Sequence, residues 1–230
     1  IVEAFLEKKI KVTNVSKSGS IPKIKNKLDK NLFSEKLDVT NEKSFSKFMD
    51  KLIISRGVVT SLINCCSYRP MIKGFEDDIE NWKKSILDNS LALFVPSRIC
   101  AKHMAKNQTE GSIITISSIY GLVAPQFGIY EGFDFISEPD YSYNKHASIG
   151  FTKYLASYYA KDGIRANVIA PGGFKGNQPE SFVQRYNNIA PQERMAYSSD
   201  IKGLVTFLAS KESRYITGTV IPLDGGWTTI

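Results

Sequence analysis

Cysteine, histidine and long apolar runs are scarce in this 230-residue chain, and each scarcity removes a class of explanation. The cysteines, Cys65, Cys66 and Cys100, are odd in number. Adjacent Cys65 and Cys66 would project to opposite faces of a strand end, so a disulfide framework is not expected and buried thiols are. His103 and His146 fall on separate expected helices. Zinc needs several converging nitrogen, sulfur or oxygen ligands, so no metal is expected. No window approaches the roughly 18 uninterrupted apolar residues of a membrane span, and no basic-then-apolar leader opens the chain at Ile1. A soluble, cytoplasmic protein without a membrane partner is the expectation, although a chain opening on IVEAFLEKK without methionine need not show its true start.

Charge is plentiful but lopsided. The formal net charge is +7, and the first forty residues hold nine lysines against five acidic residues, which raises nucleic acid as a partner. Lys23, Lys25, Lys27 and Lys30 flank a Gly-Ser-Pro loop with no aromatics interleaved to stack bases and no groove-reading helix. A solvated lysine-rich loop is expected, and no nucleic-acid partner.

With 42% hydrophobic and 23% charged residues the composition is globular, and the length suits one domain spanning 1–230. Short β-branched runs alternate with segments of helical period, the pattern of parallel strands joined by crossover helices. Strands are expected at 11–15, 33–38, 58–63, 112–117, 164–169 and 219–223, with helices at 1–9, 41–55, 79–106, 139–161 and 199–210. Phe45, Phe48 and Leu52, and then Ile86, Ser90, Leu93 and Ser97, recur at helical spacing and suggest faces laid on the sheet, with a subunit contact open to the longer helix. Segments 122–140 and 172–198 break the rhythm with Gly, Pro and aromatics. Both follow strand ends, where open α/β sheets place their ligand crevice, so both are read as substrate loops.

The stretch YSYNK puts Tyr141 and Lys145 four residues apart, on one face of a helix, whereas Tyr143 points away. A free phenol is a poor base at neutral pH, and a neighbouring ammonium favours phenolate, so the pair makes a usable proton donor and acceptor. Ser118 leaves the buried strand SIITIS and can hydrogen-bond a carbonyl or alcohol oxygen. Asn89 is a poor helix former for an interior position, which hints at a polar task such as holding a water behind the lysine.

Together these residues resemble the short-chain dehydrogenase/reductase family, in order and through nearly the whole chain. LDVT resembles the adenine-contacting segment, with Asp38 and Val39. INCCS resembles the strand-end NNAG motif, keeping Asn64 but placing Cys65 and Cys66 where the family differs. DNSLALF supplies Asn89, ISSIYG Ser118, YSYNK Tyr141 and Lys145, and APGG Pro171, Gly172 and Gly173; ASKESRYITGTVIPLDGGW resembles the closing helix, turn and strand. The resemblance implies a Rossmann-like doubly wound parallel sheet and hydride transfer between a nicotinamide cofactor and a carbonyl/alcohol pair. In it Tyr141 is the acid/base, Lys145 binds the nicotinamide ribose, Ser118 orients substrate and Asn89 supports a proton relay. It also implies a homo-oligomer, a tetramer or dimer, built through the long helices and the C-terminal strand.

Departures from the family pattern matter as well. The Gly-rich phosphate-binding turn is absent, because the chain opens inside the helix that should follow it, so roughly twenty preceding residues are expected. PGGFKGN lacks the threonine often found after the PG pair. At the end of KVTNVSKS, Ser16 and Lys17 stand where NAD binders place an acid, which leans toward NADP over NAD. The 23-residue interval from Ser118 to Tyr141 resembles an insertion in reductases associated with bacterial surface-sugar and flagellin-glycan biosynthesis. It could lay Phe127, Tyr130 and Glu131 over the crevice, or pack at a subunit interface. The competing reading is a catalytically silent nucleotide-binding or scaffold protein, supported by the altered INCCS and PGG segments.

Overall fold

The computed structural model describes residues 1–19 and 30–230, so Lys23, Lys25 and Lys27 lie outside the described residues. Every strand runs parallel to its neighbours. Strands β1 (Val12–Ser16) and β2 (Leu32–Lys36) form one pair, and β3 (Ser61–Asn64), β4 (Gly111–Ile116), β5 (Ile164–Pro171) and β6 (Val220–Leu223) form a second sheet in chain order. Parallel neighbours need crossovers, and the helices supply them.

Helices α2 (Glu42–Arg56), α3 (Ile79–Lys106) and α4 (Pro139–Tyr158) cover one face. They bury Phe45, Met49, Val95, Met104 and Leu155 against Ile113 and Ala166. Helices α1 (Val2–Leu6) and α6 (Asp200–Leu208) cover the other, where Phe5, Val205 and Leu208 meet Ile114 and Ile169. Adjacent Ile113 and Ile114 thus face opposite layers, both fully buried. Each contributes on the order of 1.5–3 kcal/mol, and this two-sided burial is why SIITIS reads as a continuous apolar run. The helix starts are chemically marked: Asn41 Oδ1 accepts from the Ser44 N–H at 3.0 Å, Asp78 accepts from the Glu80 N–H, and Pro139 occupies the first position of α4.

Several expectations need correction. Helix α1 is shorter than 1–9, β3 begins later than 58, and α4 gives way to a 3₁₀ turn at Ala160–Asp162. On α3, Ser90 is exposed and Ile86 and Leu93 are only half-buried. Ser97 is buried as expected, and Val95, Pro96, Ile99, Cys100, Ala101 and Met104 are buried with it where the C-terminal half of α3 packs in the core, while in the N-terminal half only Ser85 is buried. Within 172–198, read as a loop, residues Glu180–Ile189 form helix α5. Phe182, Val183 and Tyr186 supply its buried face, a spacing that Pro179 and Pro191 masked.

Candidate active site

Register between β4 and α4 builds the site. Thr152 donates from Oγ1 to Thr115 Oγ1 at 2.9 Å, and Ser117 donates from Oγ to the Lys145 carbonyl at 2.8 Å. These buried bonds fix how far α4 slides along the strand. Gly121 permits the contact, since a Cβ there would lie 2.9 Å from the Lys145 carbonyl oxygen. The same turn carries Ser118, which is buried and whose Oγ accepts from the Tyr120 N–H.

Lys145 is buried, its Nζ donating to the Ile116 carbonyl at 3.0 Å and lying 5.5 Å from the centre of the Tyr141 ring. Burial, helped by the nearby Arg69 charge, pushes its ammonium down to about 8. Tyr143 is exposed and packs on Trp82, away from this pair. The edge of Tyr120 meets Tyr141 at right angles, 6.5 Å between centres, and the Tyr120 and Tyr130 hydroxyls share a hydrogen bond of 3.0 Å. Burial raises both phenols, so they stand beside Tyr141 as neutral groups.

Asn89 uses its whole amide: Oδ1 accepts from the Tyr68 N–H at 2.9 Å, and Nδ2 donates to the carbonyls of Tyr68 and Ser85, each at 2.8 Å. It also lines, with Asn64, Cys66, Ile116, Asn144 and Lys145, a cavity of about 320 Å³. Asn64 pins the end of β3 to α3 by donating to Ser97 Oγ at 3.0 Å. All three cysteines are free, but only Cys100, under α3, is the buried thiol expected; Cys65 and Cys66 are exposed, because they lie past the end of β3 where the chain leaves the sheet. No cluster of metal-ligating residues exists among the described residues, nor does any described helix have the length and apolarity to cross a membrane.

The cofactor residues of the sequence reading fall at strand ends. Lys17, just past β1, pairs with Asp38 at 2.8 Å, and this bond together with those from Thr40 holds the Asp38 carboxyl down at about 2. Ser16 Oγ is buried with no hydrogen-bond partner among the described residues. Val39 packs on the core beneath α2. Pro171 closes β5, and the next residues run close to neighbouring groups: a Cβ on Gly172 would sit 2.7 Å from Tyr186 Oη, and one on Gly173 2.7 Å from Met195 Cε. The Gly173 N–H donates to Tyr186 Oη at 2.8 Å, and Tyr186 stacks on Trp227 at 4.4 Å. A cation beside a strand end and a crevice at the carboxyl edge of a parallel sheet together fit a dinucleotide.

Three features escaped the sequence reading. Arg69 lies over the Tyr141 ring, Cζ 4.0 Å from its centre. Asp140 is fully buried and accepts from Ser85 Oγ, which also accepts from Asn144 Nδ2 at 3.0 Å. The 122–140 segment joins α5 through stacked and edge-on contacts among Tyr130, Phe133, Phe135 and Phe182. Phe127 and Glu131 remain exposed at its rim. Only the last had a signal, the aromatic density of FGIYEGFDF; a lone Arg or Asp has no spacing to reveal it.

Comparison with known proteins agrees with this geometry. The family model described as enoyl-(acyl carrier protein) reductase matches residues 3–228. A post-translational flagellin modification protein A of Campylobacter coli is 30% identical over 210 residues, 89% of this chain and 81% of that protein. The crystal structure of a short-chain dehydrogenase from Leptospira borgpetersenii with bound NAD+ superimposes with a TM-score of 0.89 at 31% identity, covering 99% of this chain and 86% of that one. ElxO with NADP bound does so with a TM-score of 0.83 at 28% identity, covering 98% and 92%. With the doubly wound parallel sheet, the serine at the exit of β4 and the tyrosine and lysine one turn apart on α4, the match along nearly the whole length means that this chain belongs to the short-chain dehydrogenase/reductase family of oxidoreductases.

Proposed function

We propose that the protein transfers hydride between NADP(H) or NAD(H) and a carbonyl/alcohol pair on a small molecule, a sugar derivative being the favoured class. The observation that carries this reading is Tyr141 with the Lys145 ammonium 5.5 Å from its ring and Ser118 held by the same β4–α4 contact. The nicotinamide, when bound, supplies or accepts the hydride. Tyr141 passes the proton to or from the substrate oxygen, Ser118 Oγ hydrogen-bonds that oxygen, and Lys145 favours negative charge on the phenol oxygen while presenting donors toward a ribose. Asn89 keeps the wall behind Lys145 in shape and lines the cavity from which a proton can be resupplied.

Lys17, Ser16, Asp38 and Val39 would face the adenosine half, and Asn64, Cys65, Cys66 and Pro171–Gly173 the middle and nicotinamide end. Lys17 lies at a strand end and can leave Asp38 for a 2′-phosphate, which supports NADP; the Leptospira relative binds NAD+ and ElxO binds NADP. A relative named 2-dehydro-3-deoxy-D-gluconate 5-dehydrogenase, 30% identical over 185 residues, supports a sugar-derived substrate. We read residues 1–230 as one catalytic unit working in the cytoplasm, with segments 122–140 and 172–198 shaping substrate choice. Exposed Leu87 and Phe94 on α3, with Tyr154 and Tyr158 on α4, support assembly as a dimer or tetramer through these helices.

The test uses the full-length protein. Tyr141→Phe is expected to lower turnover on the order of 100- to 10,000-fold, the usual contribution of a positioned proton donor, while NADPH still quenches or shifts fluorescence. Turnover equal to wild type in this variant would remove Tyr141 from the mechanism.

A further inference from the structure

Arg69 is an exposed cation beside the candidate active site whose position the proposed chemistry leaves unused. Its guanidinium lies on the face of Tyr141, 4.0 Å from the ring centre, and makes no hydrogen bond or ion pair among the described residues. Stacking on a ring occupies the flat face of a guanidinium and leaves its N–H edge free. The neighbouring carboxylates are committed elsewhere. Glu138 accepts from the Gly74 N–H at 2.8 Å, Asp140 accepts from buried Ser85, and Asp77 accepts from the N–H groups of Ile72 and Lys73.

Those same bonds hold the segment that carries Arg69. Asn89 grips the Tyr68 backbone from one side by both its N–H and its carbonyl. Asp77 and Glu138 grip residues 72–74 from the other. The side chain is thus presented from a backbone anchored before and after it, which lowers the ordering cost of binding. A second cation, Lys145, lies 5.5 Å from the centre of the same ring and feels the charge of Arg69. The site therefore offers positive charge beside Tyr141, and Arg69 is exposed, so its donors are accessible to a ligand.

We infer that Arg69 selects a substrate bearing an oxyanion, a carboxylate or a phosphate ester, held bidentately by its guanidinium while the carbonyl carbon sits at Tyr141. A guanidinium matches the two oxygens of either group in geometry and charge, whereas a neutral sugar or ketone offers it no counter-charge. The inference rests on the hydride-transfer reading, and its test is arranged so that the two fail separately.

Full-length wild type, Arg69→Ala, Arg69→Gln and Arg69→Lys are given NADPH and matched pairs of carbonyl compounds: 3-oxobutanoate and 4-oxopentanoate against their methyl esters, and fructose 6-phosphate against fructose. NADPH binding is followed by fluorescence in parallel. The expected result is a preference of wild type for the anionic member of at least one pair. In the Ala and Gln variants that preference falls roughly 10- to 100-fold, chiefly through KM, with partial recovery in the Lys variant. Acid pairs and phosphate pairs distinguish the two sources of the oxyanion. Equal use of neutral and anionic members by wild type overturns the inference, as does an equal loss on both in the variants. NADPH binding with no turnover of any anionic member also overturns it while leaving the dinucleotide-dependent reading in place. Failure of wild type both to bind NADPH and to reduce any compound overturns that reading and this inference with it.

Discussion

Lys145→Met tests the electrostatics of the site without any knowledge of the substrate. Lys145 is buried, and its ammonium titrates at about 8 in the folded protein against an ordinary 10.5. For a cation whose folded value is depressed, the penalty for keeping the charge is fully present below the folded value and disappears as pH rises through the unfolded one. Between those limits the unfolded chain binds more protons, so raising the pH stabilises the fold. Integrated over that window, the penalty is roughly 3 kcal/mol at pH 7 and below about 1 kcal/mol at pH 10. Methionine has similar length and no charge, so the variant escapes the penalty at every pH. It loses the bond to the Ile116 carbonyl, a pH-independent offset of about 1–3 kcal/mol. Other titrating groups are shared by both proteins and cancel in the difference. Urea unfolding without cofactor, under reducing conditions at pH 7, 8, 9 and 10, reads the effect. Wild type is expected to gain about 2–3 kcal/mol on the variant across that range. A difference constant to within about 0.5 kcal/mol would refute the claim that Lys145 is held against its charge.

Tyr186→Phe is expected to cost about 1–3 kcal/mol in urea unfolding and to weaken NADPH binding, because the Gly173 N–H loses its acceptor beside a buried, stacked ring; unchanged stability would mean that water replaces the hydroxyl. Asp38→Asn removes a carboxylate held at about 2, so its stabilisation is present above the unfolded value near 3.8 and lost as pH falls through about 2. Wild type and variant should therefore differ above pH 4 and converge near pH 2, with the gap shrinking in salt because Lys17 is largely exposed. Parallel acid titrations would argue against the Lys17–Asp38 pair.

Much of the architecture was legible because its causes are local. Ile113 and Ile114 each bury against a different layer, which writes a central strand as an apolar run. Asn41, Asp78 and Pro139 mark helix starts by hydrogen-bonding and backbone geometry that depend on nearest neighbours alone. Helix α5 was hidden because flanking prolines and a glycine pair carry stronger local signals than one short amphipathic stripe. The rotation of α3, burying Ser85 and leaving Ser90 exposed, was hidden because it depends on where α4 and the sheet meet that helix.

The candidate site divides along the same line. By itself the sequence determined that Tyr141, and not Tyr143, shares a helical face with Lys145, since four residues make one turn and two do not. It also determined that Ser118 leaves a buried strand. Only the tertiary structure decided what surrounds that pair: the Ser117 bond to the Lys145 carbonyl, the Asn89 clamp on Tyr68, and Arg69 brought from the end of β3 onto the tyrosine ring. Those contacts join residues 21 to 72 positions apart, where no periodicity reaches, and they exist because a parallel sheet gathers the carboxyl ends of its strands at one edge.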